Sequence, residues 1–114
     1  MNSLVSKTCS ACEIGAPLVP EAEQIVLLKD IPKWEKNNSE IPSLYREFKF
    51  SDYEQAVKFS NMIAELAEEE DHHPKIILEW GLVTLQWWSH KIKGLHMNDF
   101  ICAAKSDEIY NSFE

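Results

Sequence analysis

Apolar positions change their spacing several times along the chain, and each change predicts a new element. Residues 20–29 predict a first helix, with a proline at its start, glutamates in its first turn and an apolar side at positions 25–28. A second helix should begin at the capping-box sequence Ser51-x-x-Glu54 and end near His72, because Pro74 disfavours helical backbone before it. Small and apolar residues recur along this helix at spacings of three and four and form a stripe that should pack on a sheet: Ala56, Val57, Ser60, Ile63, Ala64 and Ala67.

Alternating apolar and polar positions predict the strands. A short extended segment follows Trp34, and residues 44–50 place Leu44, Phe48 and Phe50 on one face. Arg46 is the exception on that apolar face, which favours a place near a sheet edge. Residues 76–80 and 82–90 alternate on either side of a glycine and predict a hairpin. Val83, Leu85, Trp87 and Ser89 share one face of its longer strand.

A third helix, Asn98 to Phe113, completes the order α-β-β-α-β-β-α. Asn98 is its predicted cap, and His96 is the weaker alternative. This order predicts an α+β fold, a four-stranded antiparallel sheet with three helices on one face. Residues 20–114 form the single predicted domain, and the small, polar and aperiodic residues 1–19 form a flexible N-terminal arm. The edge strands of so small a sheet can pair across a dimer.

Composition narrows the functional classes. A net charge of −8 argues against binding to nucleic acid or an anionic membrane surface. No apolar run reaches the roughly 18 residues of a membrane span, and the N-terminus lacks the features of a signal peptide. Three cysteines cannot all pair, which favours a reducing, cytoplasmic location. Cys9 and Cys12 form a C-x-x-C without a second pair, so we interpret them as reduced thiols of the arm.

Residues 68–74, Glu-Glu-Glu-Asp-His-His-Pro, carry the candidate chemistry. Acids at the C-terminal end of a helix are locally unfavourable, which suggests a role beyond the fold. Glu68 and His72 are four residues apart and should pair on one face of the last helical turn. Histidine is the side chain best suited to exchange protons near neutral pH. A solvated acidic helix end is the alternative interpretation.

Three runs together closely resemble the pterin-4a-carbinolamine dehydratase family over roughly residues 20 to 112. They are Asp71-His72-His73-Pro74, Trp87-Trp88-Ser89-His90, and Lys93-Gly94-Leu95 followed by Asp99. The separation of 17 positions between His73 and His90 (90 − 73 = 17) agrees with that family. The second and third runs are similar to its bacterial branch. His96 stands where most members carry Ser or Thr at the helix start, and we assign it no catalytic role.

The resemblance implies a reaction, a site and partners. The reaction is loss of water from 4a-hydroxytetrahydropterin to give quinonoid dihydropterin, without a metal or an organic cofactor. His72, His73 and His90 match the catalytic histidines: His72 and His90 become the acid–base candidates, in either order, and His73 positions the pterin. Further positions expected to contact substrate are Glu68, Asp71, Pro74 and Ser89.

The expected partners are the pterin substrate, further copies of the chain in a homodimer or homotetramer, and phenylalanine hydroxylase as a functional partner. The product would feed tetrahydropterin regeneration for aromatic amino acid hydroxylases. Two alternatives stay open. His72, His73 and His90 with Glu68 are a chemically reasonable ligand set for zinc or iron. The domain could also be a protein-binding module, because animal relatives act as dimerisation partners of a transcription factor.

Overall fold

The computed structural model describes residues 18–37, 41–89 and 94–113, which contain three helices and four strands. In chain order they are α1 (Glu21–Leu28), β1 (Glu35–Asn37), β2 (Ser43–Lys49), α2 (Tyr53–Glu70), β3 (Lys75–Glu79), β4 (Leu82–Trp87) and α3 (Met97–Asn111). The predicted order α-β-β-α-β-β-α and the α+β class are confirmed. None of the helices in these ranges has the length and apolar character needed to cross a membrane.

The four strands form one antiparallel sheet in the order β1-β2-β4-β3. β3 and β4 are the predicted hairpin, and the turn between them places Gly81 at φ +70°, a conformation that glycine adopts without strain. In the register of the central pair, Leu44 lies opposite Trp87. β1 and β3 are the edge strands. His90, predicted to end β4, lies outside the described residues.

The hydrophobic core lies between the sheet and the two longer helices. α2 contacts β3 and β4, and α3 contacts β2 and β4. The largest fully buried side chains include Phe48, Phe59, Trp87 and Phe100. α1 contributes less to the hydrophobic core than its apolar side predicted, because Ile25 and Val26 on that side are 59% and 60% exposed. Only the neighbouring leucines of that side pack against the core.

α2 begins one residue later than the capping-box prediction. Its N-cap is Asp52, whose side chain accepts a hydrogen bond from the backbone N–H of Gln55 at 2.8 Å, so the assignment to Ser51 was wrong. The buried face also differs in part: Ala64 is exposed, whereas Phe59 and Leu66 are buried. Four of the predicted positions are buried: Ala56, Ser60, Ile63 and Ala67. The helix is continuous to Glu70, which is close to the predicted end.

Arg46 lies on an interior strand, so its predicted place near a sheet edge was wrong. Its guanidinium lies 4.3 Å from the centroid of the Phe48 ring and donates to Asp107 of α3, with 2.6 Å between Nη1 and Oδ1. The same carboxylate oxygen accepts the indole N–H of Trp34 at 2.8 Å. Burial raises the pKa of Asp107, and the Trp34 hydrogen bond and the Arg46 charge oppose that rise. A cation is tolerated on this apolar face because α3 supplies its counter-charge.

The N-terminal end of the described chain is packed against the domain. Val19, the last residue of the predicted arm, is buried, and its backbone N–H donates to the carbonyl oxygen of Leu95 at 2.9 Å. Leu18 lies against Gly94, where an added Cβ would come within 2.7 Å of the leucine side chain. Residues 1–17, with Cys9 and Cys12, lie outside the described residues.

Candidate active site

The two adjacent histidines leave the end of α2 into opposite environments. Asp71 ends the helix in the left-handed conformation, with φ 52° and ψ 45°, and the backbone N–H of His72 still bonds to the carbonyl oxygen of Ala67 at 3.1 Å. The side chain of His72 is only 4% exposed, whereas that of His73 is 53% exposed. One imidazole is therefore held inside the domain and its neighbour faces solvent.

His72 is paired with an acid from another helix. Its Nε2 lies 2.6 Å from Oδ1 of Asp99, in the first turn of α3, and the Asp99 side chain is fully buried. The predicted partner, Glu68, instead lies 2.7 Å from Nε2 of His73. The predicted Glu68–His72 pair was wrong because the left-handed turn at Asp71 takes His72 off the helical path, and with it off the face of Glu68.

Asp99 binds three groups at once. Oδ1 contacts His72, and Oδ2 accepts from the hydroxyl of Ser89 at 2.9 Å and from the backbone N–H of His96 at 2.9 Å. The last contact is half of a capping box, so the N-cap of α3 is His96 and the predicted cap at Asn98 was wrong. A buried carboxylate needs such donors to offset its desolvation. Asp99 therefore joins the start of α3 to the end of α2 and to the segment after β4.

The plane of the His72 ring is set by the last residue of β4. The rings of His72 and Trp87 are stacked, with centroids 5.6 Å apart and an angle of 9° between their planes. The indole N–H of Trp87 donates to the hydroxyl of Ser106 at 3.2 Å, and that hydroxyl donates to the carbonyl oxygen of Cys102 at 2.7 Å. His72 is thus fixed by a carboxylate at one nitrogen and by an indole across its face.

An ion pair holds the helix end that carries the histidines. Nζ of Lys105 lies 2.8 Å from Oε2 of Glu70, the last residue of α2, and both side chains are mostly buried. Because Lys105 belongs to α3, this contact fixes the end of α2 relative to the helix that supplies Asp99. The two elements that form the His72–Asp99 pair are therefore joined at a second point.

The remaining predicted site residues occupy different environments. Asp71 is exposed and Pro74 is half-buried, both beside the histidines in the chain. Ser89, predicted to contact substrate, is fully buried and donates to Asp99. His90 is outside the described residues. Within residues 18–37, 41–89 and 94–113, no three His, Cys, Asp or Glu side chains are grouped so that they could hold a metal ion.

This geometry lies within a segment that matches a known family. Residues 17–109 match the family model described as pterin 4 alpha carbinolamine dehydratase. The chain belongs to the pterin-4a-carbinolamine dehydratase family. A relative from Saccharophagus degradans is 50% identical over 111 residues, covering 96% of this chain and 98% of its own length. One from Marinobacter nauticus is 51% identical over 113 residues, covering 96% and 100%. Both carry the provisional name pterin-4-alpha-carbinolamine dehydratase.

Two solved structures share the fold. A crystal structure of a transcriptional coactivator/pterin dehydratase from Brucella melitensis has a TM-score of 0.77 and 28% identity, covering 82% of this chain and 99% of that one. A pterin dehydratase-like protein described as a RuBisCO assembly factor in the alpha-carboxysome has a TM-score of 0.60 and 25% identity, covering 68% and 89%. The same fold therefore occurs in proteins with different described roles.

Sequence reasoning missed two side chains of the site. Trp87 was assigned to a strand face and to a motif of the resemblance, and Asp99 to a motif of the resemblance, but neither was given a role in the site. A usable signal for Asp99 was its position three residues after His96, which is the spacing of a capping box. No comparable local signal exists for Trp87, because its contact with His72 depends on how α2 and β4 pack together.

Proposed function

We propose that the chain catalyses dehydration of 4a-hydroxytetrahydropterin to quinonoid dihydropterin, as a hydro-lyase. The observation that carries this proposal is the buried pair of His72 and Asp99, 2.6 Å apart, stacked on Trp87 within a chain of the dehydratase family. A carboxylate that orients an imidazole and stabilises its cation is a recurring arrangement for proton transfer by histidine. No part of the proposed step needs an oxidant or a reductant.

The chemistry requires one proton donor and one proton acceptor. The C4a–O bond of the substrate breaks, and the departing oxygen takes a proton because hydroxide leaves poorly from carbon. A ring-nitrogen lone pair forms the new double bond to C4a, and a ring nitrogen loses a proton. The net change is the loss of one water molecule, and the protein regains its starting protonation state by exchanging protons with solvent. Histidines suit both tasks near neutral pH.

The contact with Asp99 supports one nitrogen of His72 as the atom that would exchange protons. Its Nε2 is bonded to Asp99, so Nδ1 is the nitrogen left to exchange a proton with the pterin. Asp99 then positions the ring and stabilises the imidazolium. We assign the second acid–base task to His90, on the family resemblance. Either histidine can serve as the donor in this scheme.

His73 is the proposed pterin-positioning group. Its ring is 53% exposed and bonded through Nε2 to Glu68, which is itself 79% exposed. Such a pair can contact a ligand that arrives from solvent, whereas the side chain of His72 is only 4% exposed. Asp71 and Pro74 lie beside it in the chain and complete the proposed substrate contacts, while Ser89 acts through Asp99.

We further propose the biological setting that the resemblance implies. The product would feed regeneration of tetrahydropterin for aromatic amino acid hydroxylation in the cytoplasm, with phenylalanine hydroxylase as a functional partner. The chain would act as a homodimer or homotetramer, for which β1 and β3 offer the sheet edges. A sedimentation mass equal to one chain at micromolar concentration would contradict the oligomer.

The direct experiment is a dehydration assay with freshly made carbinolamine, with and without a chelator. We expect the protein to accelerate water loss well above the uncatalysed rate, and to do so equally after chelation. Activity that disappears with the chelator and returns with zinc would favour the metal site formed by His72, His73, His90 and Glu68. The order of addition should be controlled, because the substrate also dehydrates spontaneously.

A protein-binding role is the second candidate function. It is favoured by two structural relatives, described as a transcriptional coactivator/pterin dehydratase and as a RuBisCO assembly factor. Exposed apolar side chains on and beside β3, including Trp80 at 71% exposure, give this chain a surface that could serve such a role. A folded wild-type protein without dehydratase activity would favour this candidate over the first.

A further inference from the structure

The first turn of α3 is capped by an imidazole. His96 is the N-cap residue, with extended backbone at φ −113° and ψ 162°, and its Nδ1 accepts the backbone N–H of Asn98 at 3.1 Å. The residue is 7% exposed. Serine, threonine, asparagine and aspartate are the usual caps. Histidine differs from serine, threonine and asparagine in one chemical respect. When the ring takes up a proton, the nitrogen that accepted the hydrogen bond becomes a donor and can no longer accept.

The same turn holds the acid of the candidate active site. Asp99 lies three residues after His96 and bonds through Oδ2 to the His96 backbone N–H, while its Oδ1 contacts His72. The two halves of the capping box are therefore the imidazole cap and the active-site carboxylate. Fraying of this turn would release the carboxylate from the position in which it meets His72.

We propose that His96 is a positioning residue whose neutral imidazole caps α3 and so holds Asp99 against His72. Protonation of His96 removes the acceptor for the Asn98 N–H and places a positive charge at the positive end of the helix dipole. Both effects favour an unfolded first turn. The effect of His96 on catalysis rests on the proposed dehydratase function, whereas its effect on stability does not.

The charged groups around the cap act on the His96 ring in different directions. On α3, Asp99 opposes the proposed mechanism, because a carboxylate favours a nearby imidazolium; its oxygens are already bonded to His72, Ser89 and the backbone. From the end of α2, His72 adds positive charge when protonated. After the His72–Asp99 pair, the nearest described ion pair along α3 is Lys105–Glu70, which is more than two turns away. Leu18 and Val19, which pack beside Gly94 and Leu95, carry no ionisable side chain.

The sign of the pH dependence follows from the cap. The neutral ring is the form that makes the hydrogen bond, because a protonated ring has no lone pair at Nδ1 with which to accept the Asn98 N–H. The stability contributed by the cap is then present at high pH and is lost as the pH falls. A serine cap accepts the same N–H without titrating, which makes His96→Ser the conservative test and His96→Ala the variant without a cap.

The first readout is urea unfolding of the full chain between about pH 8 and about pH 5.5. At the higher pH, His96→Ala should raise the unfolding equilibrium constant by roughly 2- to 30-fold and His96→Ser should restore most of it. As the pH is lowered, the unfolding equilibrium constant of wild type should rise up to about 10-fold more than that of His96→Ser. The reason is that histidine in an unfolded chain is protonated below about pH 6.5. His73→Ser is the matched control, because it removes an exposed histidine that is paired with Glu68. Unlike His96→Ser, it should not be more stable than wild type at the lower pH.

The second readout is the pH profile of kcat for carbinolamine dehydration. His96→Ala should lower kcat more than it raises KM, because the change acts on Asp99 and not on pterin contacts. His96→Ser should restore kcat, and its kcat should begin to fall at a lower pH than the kcat of wild type does. Parallel loss of stability in wild type and His96→Ser would overturn the proposal, whether or not the alanine variant folds. An inactive wild type would contradict the proposed function, and the stability comparison would still decide on the cap.

Discussion

Replacing Asp99 with asparagine separates its charge from its shape. The carboxylate is fully buried and accepts from His72, Ser89 and the His96 backbone. In Asp99→Asn, one amide oxygen can still accept from Ser89 and His96, and the NH2 group then faces Nε2 of His72. That nitrogen must accept instead of donate, so His72 is held in the opposite tautomer and loses the anion that stabilises its cation.

The expected loss follows from the hydrogen bond removed. A hydrogen bond to a charged group contributes about 1.5–3 kcal/mol. At about 1.36 kcal/mol for each factor of ten in rate, Asp99→Asn should lower kcat by roughly 10- to 200-fold. Stability should fall by no more than about 1.5–3 kcal/mol, since the cap survives. Asp99→Ala should also lose about 3–5 kcal/mol of stability, because three buried donors are left without their acceptor.

The assay is steady-state dehydration of freshly made carbinolamine, with urea unfolding of each variant. Asp107→Asn is the matched control, because it makes the same substitution in a mostly buried acid of the same helix that contacts Arg46 and Trp34. It should change stability without a comparable change in kcat. A folded Asp99→Asn protein that turns over substrate at the wild-type rate would refute the role given to this carboxylate.

Three further predictions concern the exposed histidine, the buried cation and the hairpin turn. His73→Ala should raise KM at least as clearly as it lowers kcat, and Glu68→Gln should act in the same direction more weakly; an effect on kcat alone would contradict the positioning role. Arg46→Met should cost about 1–3 kcal/mol near neutral pH in urea unfolding, because a mostly buried carboxylate loses its cation. The pKa of Asp107 is already raised by burial and should rise further, so the deficit should shrink as the medium is acidified; a constant deficit would count against this account. Gly81→Ala should cost about 1–2 kcal/mol at φ +70° and leave kcat of the folded protein intact, and an unchanged unfolding midpoint would argue against strain there.

Local periodicity was sufficient to predict most of the fold. The alternation of Val83, Leu85, Trp87 and Ser89 identified the buried face of β4 and its extension, and all four are fully buried. Spacing along α2 likewise identified the turns that pack on the sheet. Both patterns are reliable because the side chains that share a face are fixed by the repeat of a single element.

The contacts that define the site could not be predicted in the same way. Helical spacing favoured Glu68 as the partner of His72, but the chain leaves the helix at Asp71 and the true partner lies 27 residues away. The error at Arg46 has the same origin, because its counter-charge is 61 residues away on α3. Each depends on how two elements dock, which no local pattern records.

The choice of helix caps failed for a smaller reason. Ser51 and Asp52 are adjacent and both are good cap residues, so sequence alone could not separate them. At α3, histidine is an uncommon cap and asparagine a common one, which favoured Asn98 over His96. The outcome was decided by Asp99, whose side chain completes the box only if the helix starts at His96.

The most direct test of the central claim is the rate of carbinolamine dehydration by His72→Ala beside His90→Ala and wild type. Circular dichroism should show that both variants are folded, and urea unfolding should record the stability that His72→Ala loses because the buried Asp99 carboxylate loses a partner. We predict that each lowers kcat by roughly 10²- to 10⁴-fold, the usual effect of removing an acid–base group. Wild-type rates in both folded variants would contradict the proposed site.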